Sequence, residues 1–258
     1  MLRRWLIAMA TLTSVAAPAF ALNTQRLEPA EIQTLQSVMT ALEPSITAAK
    51  RDGTANLLTW DALYAPLSPE QRAFLDAFRA LKASTLGATS HYFGELAEPP
   101  DIVLVGPEAV RKNGAQTPLD PQYLPRTVLA AERQMMEAMQ RDLSRRLLVE
   151  SGYRSPAYQL YLFLYYMPKH AYSITETNKF VALPGHSEHG YPPRQAIDFI
   201  NQDGINGEDH PEEFEALPEY RWLQDHAKAF GFSLSYPRHN AFNTAFEPWH
   251  WHHEEPGS

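Results

Sequence analysis

The sequence predicts an α+β fold: a small central antiparallel sheet with flanking helices, preceded by a helical N-terminal lobe. Three observations predict it. Apolar residues recur at helical spacing through the first hundred residues, and short β-type runs begin only near residue 102. Beyond that point helices and strands mix without the regular alternation that builds a parallel sheet. The expected division is an export signal over 1–21, a helical lobe over 22–98 and a catalytic-type domain over 99–258.

The first residues read as an address. Arg3 and Arg4 precede an apolar run from Leu6 to Phe20, and Ala19-Phe20-Ala21 offers the small-x-small pattern of a cleavage site after Ala21. The run is too short for a membrane anchor, and Thr11, Thr13, Ser14 and Pro18 interrupt it. No later segment is long and apolar enough to span a bilayer, so a soluble exported chain is expected.

Pro29 suits a first helical turn, and Ile32, Leu35, Val38, Met39 and Leu42 come after it at helical spacing. Pro44 is expected to break or kink this helix, and Asp52-Gly53 to end the segment beyond the kink. Ser68-Pro69-Glu70-Gln71 starts another helix, leading into Phe74, Leu75, Phe78 and Leu81. Pro99-Pro100 reads as a linker or turn, and Ile102 to Val105 as a short strand ended by Gly106-Pro107. A helix from about 126 to 142, a buried strand from 146 to 151 and a Gly152-Tyr153-Arg154 turn come next. Ser155-Pro156 opens a helix with Tyr158, Leu162 and Tyr165 on one side. Ala196 to Ile200 reads as a core strand, Pro218 starts a helix that stops at Gly231, and strands over 232–236 and 246–251 close the domain.

Charge and composition exclude several classes. The chain carries 22 Lys+Arg against 30 Asp+Glu, a formal charge of −8, and losing Arg3 and Arg4 would deepen it. Nucleic acid needs a basic footprint, and so does simple adhesion to anionic lipid. There is no cysteine, which removes disulfides, thiol catalysis and cysteine-held zinc. Any metal must therefore be held by His, Asp or Glu.

Most of the ten histidines lie from His170 onward, in two notable clusters: Gly185-His186-Ser187-Glu188-His189-Gly190 and Glu247-Pro248-Trp249-His250. Between them Asp198 sits inside an apolar strand, where a lone carboxylate is costly unless paired. The turn-rich segment from Gly190 to Pro193 would let His189 and Asp198 aim at one point, with His250 arriving from a distant strand. Three such ligands leave a fourth tetrahedral position open, the arrangement of catalytic zinc. Glu247 is placed to take a proton from an attacking water, provided a bulge or bend brings it to the side of His250. Arg154 could bind a carboxylate or a developing oxyanion. The blander alternatives are that Asp198 caps a turn or pairs with Arg194, that Arg154 is a surface arginine covering Tyr153, and that His186 replaces His189 as a ligand. His252 and His253 read as solvated tail residues.

Taken together in this order, the motifs resemble the VanY-type zinc D-alanyl-D-alanine carboxypeptidases and their endopeptidase relatives, peptidoglycan metallopeptidases. Ser151-Gly152-Tyr153-Arg154-Ser155 with Gln159, Ser187-Glu188-His189 with Ala196-Ile197-Asp198, and Glu247-Pro248-Trp249-His250-Trp251 carry the likeness, which covers about 100 to 251. The resemblance implies one Zn2+ per chain, held by His189, Asp198 and His250 in a groove across the sheet. It makes Glu247 the general base and acid, and Arg154 the group that stabilises or orients the scissile carbonyl. Gln159 and Ser187 become substrate contacts. It also implies a periplasmic or cell-wall location and peptidoglycan stem peptides as substrate, most simply trimmed by a D,D-carboxypeptidase. An L,D-carboxypeptidase, an endopeptidase or a non-catalytic wall-binding module are the alternatives. Serine-type chemistry is disfavoured, since Ser-x-x-Lys and Lys-Thr-Gly are absent. Two departures stand out: the segment between His189 and Asp198 is about two residues longer than the family's, and His252-His253-Glu254 replaces the usual arginine and closing strand.

Overall fold

Helices open the chain wherever the sequence supplies a start signal. Helix α1 (Pro29–Arg51) begins with a reciprocal capping box between Glu28 and Glu31 and buries Leu35, Val38, Leu42 and Ile46 along one stripe. It runs through Pro44 rather than ending there. The proline forfeits one helical hydrogen bond, but buried Leu42 and Ile46 hold the helix on either side of it. Gly53, at φ +71°, takes the left-handed turn that ends the segment. A short helix α2 (Trp60–Tyr64) is capped by Thr59, and α3 (Pro69–Arg79) by a Ser68–Gln71 capping box. The computed structural model describes residues 21–86, 91–95, 101–112, 114–242 and 244–254. The apolar run before Ala21 and the Pro99-Pro100 turn lie outside the described residues.

Four short strands come next: β1 (Ile102–Leu104), β2 (Ala109–Lys112), β3 (Ala115–Pro118) and β4 (Tyr123–Pro125). β1 pairs with β4 and β2 with β3, both antiparallel. The β2–β3 hairpin goes unpredicted although Asn113-Gly114, a two-residue hairpin signal, stands between the two runs: β3 is exposed along its whole length and has no alternation to support the signal. Helix α4 (Arg126–Leu143) then leads into β5 (Leu147–Ser151), which precedes α5 (Pro156–Tyr166), α6 (Ile174–Thr177), β6 (Arg194–Asn201), α7 (Pro211–Glu215), α8 (Pro218–His226), β7 (Phe232–Leu234) and β8 (His250–Glu254). The last four-stranded sheet has the order β5-β6-β8-β7, with every neighbour antiparallel. The expected α+β class holds. The final strand, however, starts at His250 rather than near 246, because Glu247 to His250 forms a turn instead.

Among the described residues two large cores support this frame, beside a small cluster of Val110, Leu148 and Ile200. Ile197 and Phe199 of β6, Leu147 and Val149 of β5 and Trp251 of β8 pack on α4 and α8 through Met135, Met139 and Leu223. In a strand successive side chains alternate faces. Asp198 therefore points away from this core, on the face that carries the polar site. The second core joins Val38, Leu42, Phe74 and Phe78 of the N-terminal helices to Leu160 and Phe163 of α5. Burying one such phenylalanine contributes about 1.5–3 kcal/mol, so the helix after Arg154 is anchored against α1 and α3.

Candidate metal centre

The centre is assembled by strand register. Asp198 on β6 stands opposite Ser151 of β5 and opposite His250 of β8. Cross-strand neighbours on one face come close enough to touch, and His250 Nδ1 lies 2.8 Å from Asp198 Oδ1. A bulge between Val149 and Ser151 adjusts the β5 register just where that strand reaches the site. His189 comes from a single 3-10 turn, Glu188–Gly190, ahead of β6. Its carbonyl accepts from Arg154 N–H (3.1 Å) and Gln195 Nε2 (3.2 Å), which pins the turn against both neighbouring segments.

The two imidazoles are oriented by their outer nitrogens. His189 Nδ1 lies 2.7 Å from the Gly152 carbonyl, which can only accept, so the proton sits on Nδ1 and the Nε2 lone pair faces inward. His250 Nε2 donates to Glu188 Oε2 at 2.9 Å, leaving Nδ1 toward Asp198. Histidine ligands commonly donate their second N–H to a carboxylate or carbonyl in this way. His189 Nε2 is buried and has no hydrogen-bond partner, although Asp198 Oδ2 is only 3.1 Å away; the pair is close but out of line. The inner atoms of His189, Asp198 and His250 lie within 4.8 Å of one another. A tetrahedral zinc with bonds of about 2.0–2.2 Å sets ligand atoms roughly 3.4 Å apart. The donor set, the orphaned nitrogen and the spacing fit a zinc ion, and among the described residues this is the one such cluster.

Glu247 reaches the cluster by a β-turn rather than by a strand bulge. The His250 N–H donates to the Glu247 carbonyl (3.1 Å) across Pro248 and Trp249, while Glu247 N–H donates to the Tyr236 carbonyl (3.1 Å). Proline is favoured at the second position of such turns. The turn brings residues three apart to one side, with Glu247 Oε2 3.7 Å from His250 Nδ1. Burial raises the Glu247 carboxyl to about 7, with His250 and Arg154 opposing the shift and Asp198 adding to it. Asp198 is driven the other way, well below its ordinary value: burial alone would raise it, but His189 and His250 outweigh burial. Two nearby carboxyls thus differ in proton affinity, as an acid–base site requires.

Sequence reasoning missed the group behind this cluster. Glu188 is 2% exposed and accepts from His250 Nε2, from Ser235 Oγ (2.5 Å) and from Arg194 Nε (2.7 Å). Burial pushes its carboxyl upward, yet the His250, His252 and Ser235 contacts hold it at about 2. Arg194 also pairs with Glu254 and stands 3.3 Å from His252 Nδ1. Arg194 therefore serves Glu188 and not Asp198, which removes the blander pairing considered for that carboxylate. His252 and His253 are 5% and 7% exposed, which corrects the expectation of solvated tail residues: β8 extends to Glu254 and carries both into the sheet. The opposite charges of Glu188 and Arg194, set in a Gly/Pro-rich segment, were the available signal.

The remaining expected residues divide between the site and its surroundings. Arg154 is half-buried; its Nε is buried without a hydrogen-bond partner, so it is not a surface arginine. Gln159 is buried on α5, donating Nε2 to the Ala182 carbonyl (2.8 Å) while its Oε1 has no partner. Ser187 is buried immediately before the His189 turn. His186 turns elsewhere, with Nδ1 3.1 Å from the His91 carbonyl, and is not part of the cluster. The segment after His189 carries Tyr191, whose ring stacks on Phe93 at 5.2 Å.

Residues 121–255 match the family described as VanY, D-alanyl-D-alanine carboxypeptidase. YodJ of Bacillus subtilis (strain 168), provisionally named a carboxypeptidase, is 29% identical over 158 residues, covering 59% of this chain and 53% of that protein. The chain thus spans about half the length of this relative. Among solved structures, the LdcB LD-carboxypeptidase is 24% identical with a TM-score of 0.46, covering 62% of this chain and 69% of that chain. VanYB in complex with D-alanine-D-alanine is 21% identical with a TM-score of 0.45, covering 64% and 84%.

Proposed function

This chain belongs to the VanY family of D-alanyl-D-alanine carboxypeptidases, and from that premise we propose that it is an exported zinc metallopeptidase. It hydrolyses bonds next to D-amino acids in peptidoglycan stem peptides, most simply as a D,D-carboxypeptidase acting in the periplasm or cell wall. One observation carries the reading: the inner atoms of His189, Asp198 and His250 converge while each histidine's outer nitrogen is tied to a protein acceptor, with Glu247 alongside.

His189 Nε2, an Asp198 oxygen and His250 Nδ1 would hold the ion, which when bound would supply Lewis acidity to the reacting centre. Glu247 takes a proton from water as the water oxygen attacks the carbonyl carbon. Arg154 stabilises the charge that develops on the carbonyl oxygen. Glu247 then passes its proton to the leaving nitrogen as the C–N bond breaks. Gln159 and Ser187 line the path of the substrate. The helical segment 22–98 and the peptidase segment 99–258 divide the exported chain, and among the described residues no helix is long and apolar enough to cross a membrane.

The test is to load the purified protein with zinc, digest defined muropeptides and identify the products by mass. Release of free D-alanine from a D-alanyl-D-alanine end, one zinc per chain and loss of hydrolysis with a chelator are expected. Release from an L,D bond or a cross-link would move the assignment to an L,D-carboxypeptidase or an endopeptidase. Peptide binding with no cleavage of any muropeptide would leave only a wall-binding module.

A further inference from the structure

The N-terminal lobe does not stand apart from the metal centre. Asn56 Nδ2 donates to Gln122 Oε1 (3.0 Å), and that same oxygen accepts the N–H of Gly152 (3.1 Å), whose carbonyl holds His189. The Asn56 and Leu58 carbonyls accept from the Ser155 N–H (2.9 Å) and hydroxyl (2.6 Å), and the Gly53 carbonyl accepts from the Tyr123 hydroxyl (3.0 Å). This set of bonds fixes the lobe against the segment that carries Arg154.

Between the two lies a cleft of 170 Å³, walled by Lys50 and Asn56 from the lobe, by Gln122 and Arg154, and by Tyr158 and Tyr166 of α5. Sites that enclose a whole small ligand measure roughly 300–1,000 Å³, so this one takes a side group or a short piece of chain. Tyr158, Leu162 and Tyr166 all border it. They form one i, i+4, i+8 row, which carries the wall about 12 Å along the helix from the Arg154 end. Arg154 brings a buried Nε with no partner. Lys50 brings an exposed ammonium 5.9 Å from the ring centroids of Tyr161 and Tyr165. Among the described residues neither cation forms an ion pair; Asp120 also borders the cleft, so two positive groups face one negative group.

We propose that this cleft is a subsite for an anionic side group of the substrate, and that Lys50 of the N-terminal lobe determines that specificity. The inference rests on the peptidase reading, because Arg154 is the wall shared by the cleft and the reacting centre. A carboxylate held in the cleft would sit between the walls that Arg154 and Lys50 contribute. A lobe outside the family-matched segment would thereby select which peptides are presented.

The experiment uses the full exported chain with Lys50→Met and Lys50→Glu. The probes are peptides ending in D-alanyl-D-alanine, with glutamate or glutamine placed in turn at the three positions before that end. Two quantities are read: kcat/KM, and calorimetric binding to the zinc-loaded Glu247→Gln protein. At one position glutamate should be favoured about tenfold over glutamine, the size of one charge-assisted hydrogen bond. Lys50→Met should erase that ratio while leaving the glutamine peptide unchanged, and Lys50→Glu should invert it. No glutamate preference at any position, or the same preference in all three proteins, overturns the proposal. If nothing is hydrolysed but a Lys50-dependent preference persists in binding, the subsite stands and the peptidase reading falls.

Discussion

Replacing Glu188 with glutamine tests whether the buried network behind His250 sets the stability and metal affinity of the centre. The substitution keeps size and shape but removes the charge that Arg194, Ser235 and His250 address. In the metal-free protein the Glu188 carboxyl falls from an ordinary 4.5 to about 2: burial opposes the shift, and the hydrogen bond and charge of His250 lead the groups that overcome it. At about 1.36 kcal/mol per pH unit, that difference is worth about 3 kcal/mol of folding stability at neutral pH. The figure agrees with the roughly 3–5 kcal/mol lost when one partner of a buried pair is removed. For a chain of this size, a loss of about 3 kcal/mol lowers the thermal midpoint by roughly 6–12 °C. Because the folded value is depressed, the contribution is fully present above pH 4.5 and is lost as pH falls toward 2. Thermal unfolding of chelator-treated protein should show that gap at pH 7 and see it close below pH 4.5. Chelator competition should show zinc bound about 10–100-fold more weakly in the variant, as loss of a histidine's outer partner does elsewhere. An unfolding midpoint within about 2 °C of the parent (1 kcal/mol or less), together with unchanged zinc affinity, would refute the reasoning.

Glu247→Gln should leave one zinc bound and lower kcat by about a hundredfold or more, the usual contribution of a positioned base; hydrolysis at the parental rate would remove Glu247 from the mechanism. Since the base acts as a carboxylate and burial raises it to about 7, kcat/KM should rise with pH with its half-maximum at about 7, or below 7 once the dication favours ionisation. An acid limb that survives unchanged in residual Glu247→Gln turnover would assign it to another group. Gly152→Ala should cost about 3 kcal/mol or more, because a Cβ there would stand 2.3 Å from the Tyr123 carbonyl oxygen. Urea unfolding checks this, and a loss under about 1 kcal/mol would mean that the β4–β5 junction gives way.

Much of the frame was legible because its signals are local. Proline and capping residues mark α1, α3 and α5, and an apolar stripe or run accompanies each. Asp198 announced itself as a carboxylate in an apolar strand, and alternation of faces carries it away from Ile197 and Phe199. The Glu247-Pro248-Trp249-His250 unit was readable as chemistry, but its conformation was not: the proline permits a bend, and only pairing with Tyr236 makes it a turn. The hidden features depend on register between distant segments. Glu188 and His250 are 62 positions apart, and nothing near either says that they meet. The same dependence misplaced His252 and His253, whose burial comes from β8 pairing with β6 and β7.

The hidden part explains how the segment between His189 and Asp198 is held beside the centre. Between His189 and Asp198 the chain must return to β6 in register, or every side chain of that strand would change face. Arg194, the first residue of β6, is held by Glu188 before the strand and by Glu254 across it. Tyr191 is held by its stacking on Phe93. These contacts hold the segment at Tyr191 and Arg194, and Asp198 arrives opposite His250. The same arginine thus satisfies the carboxylate that orients His250, which couples the path of the loop to the placement of the candidate ligands.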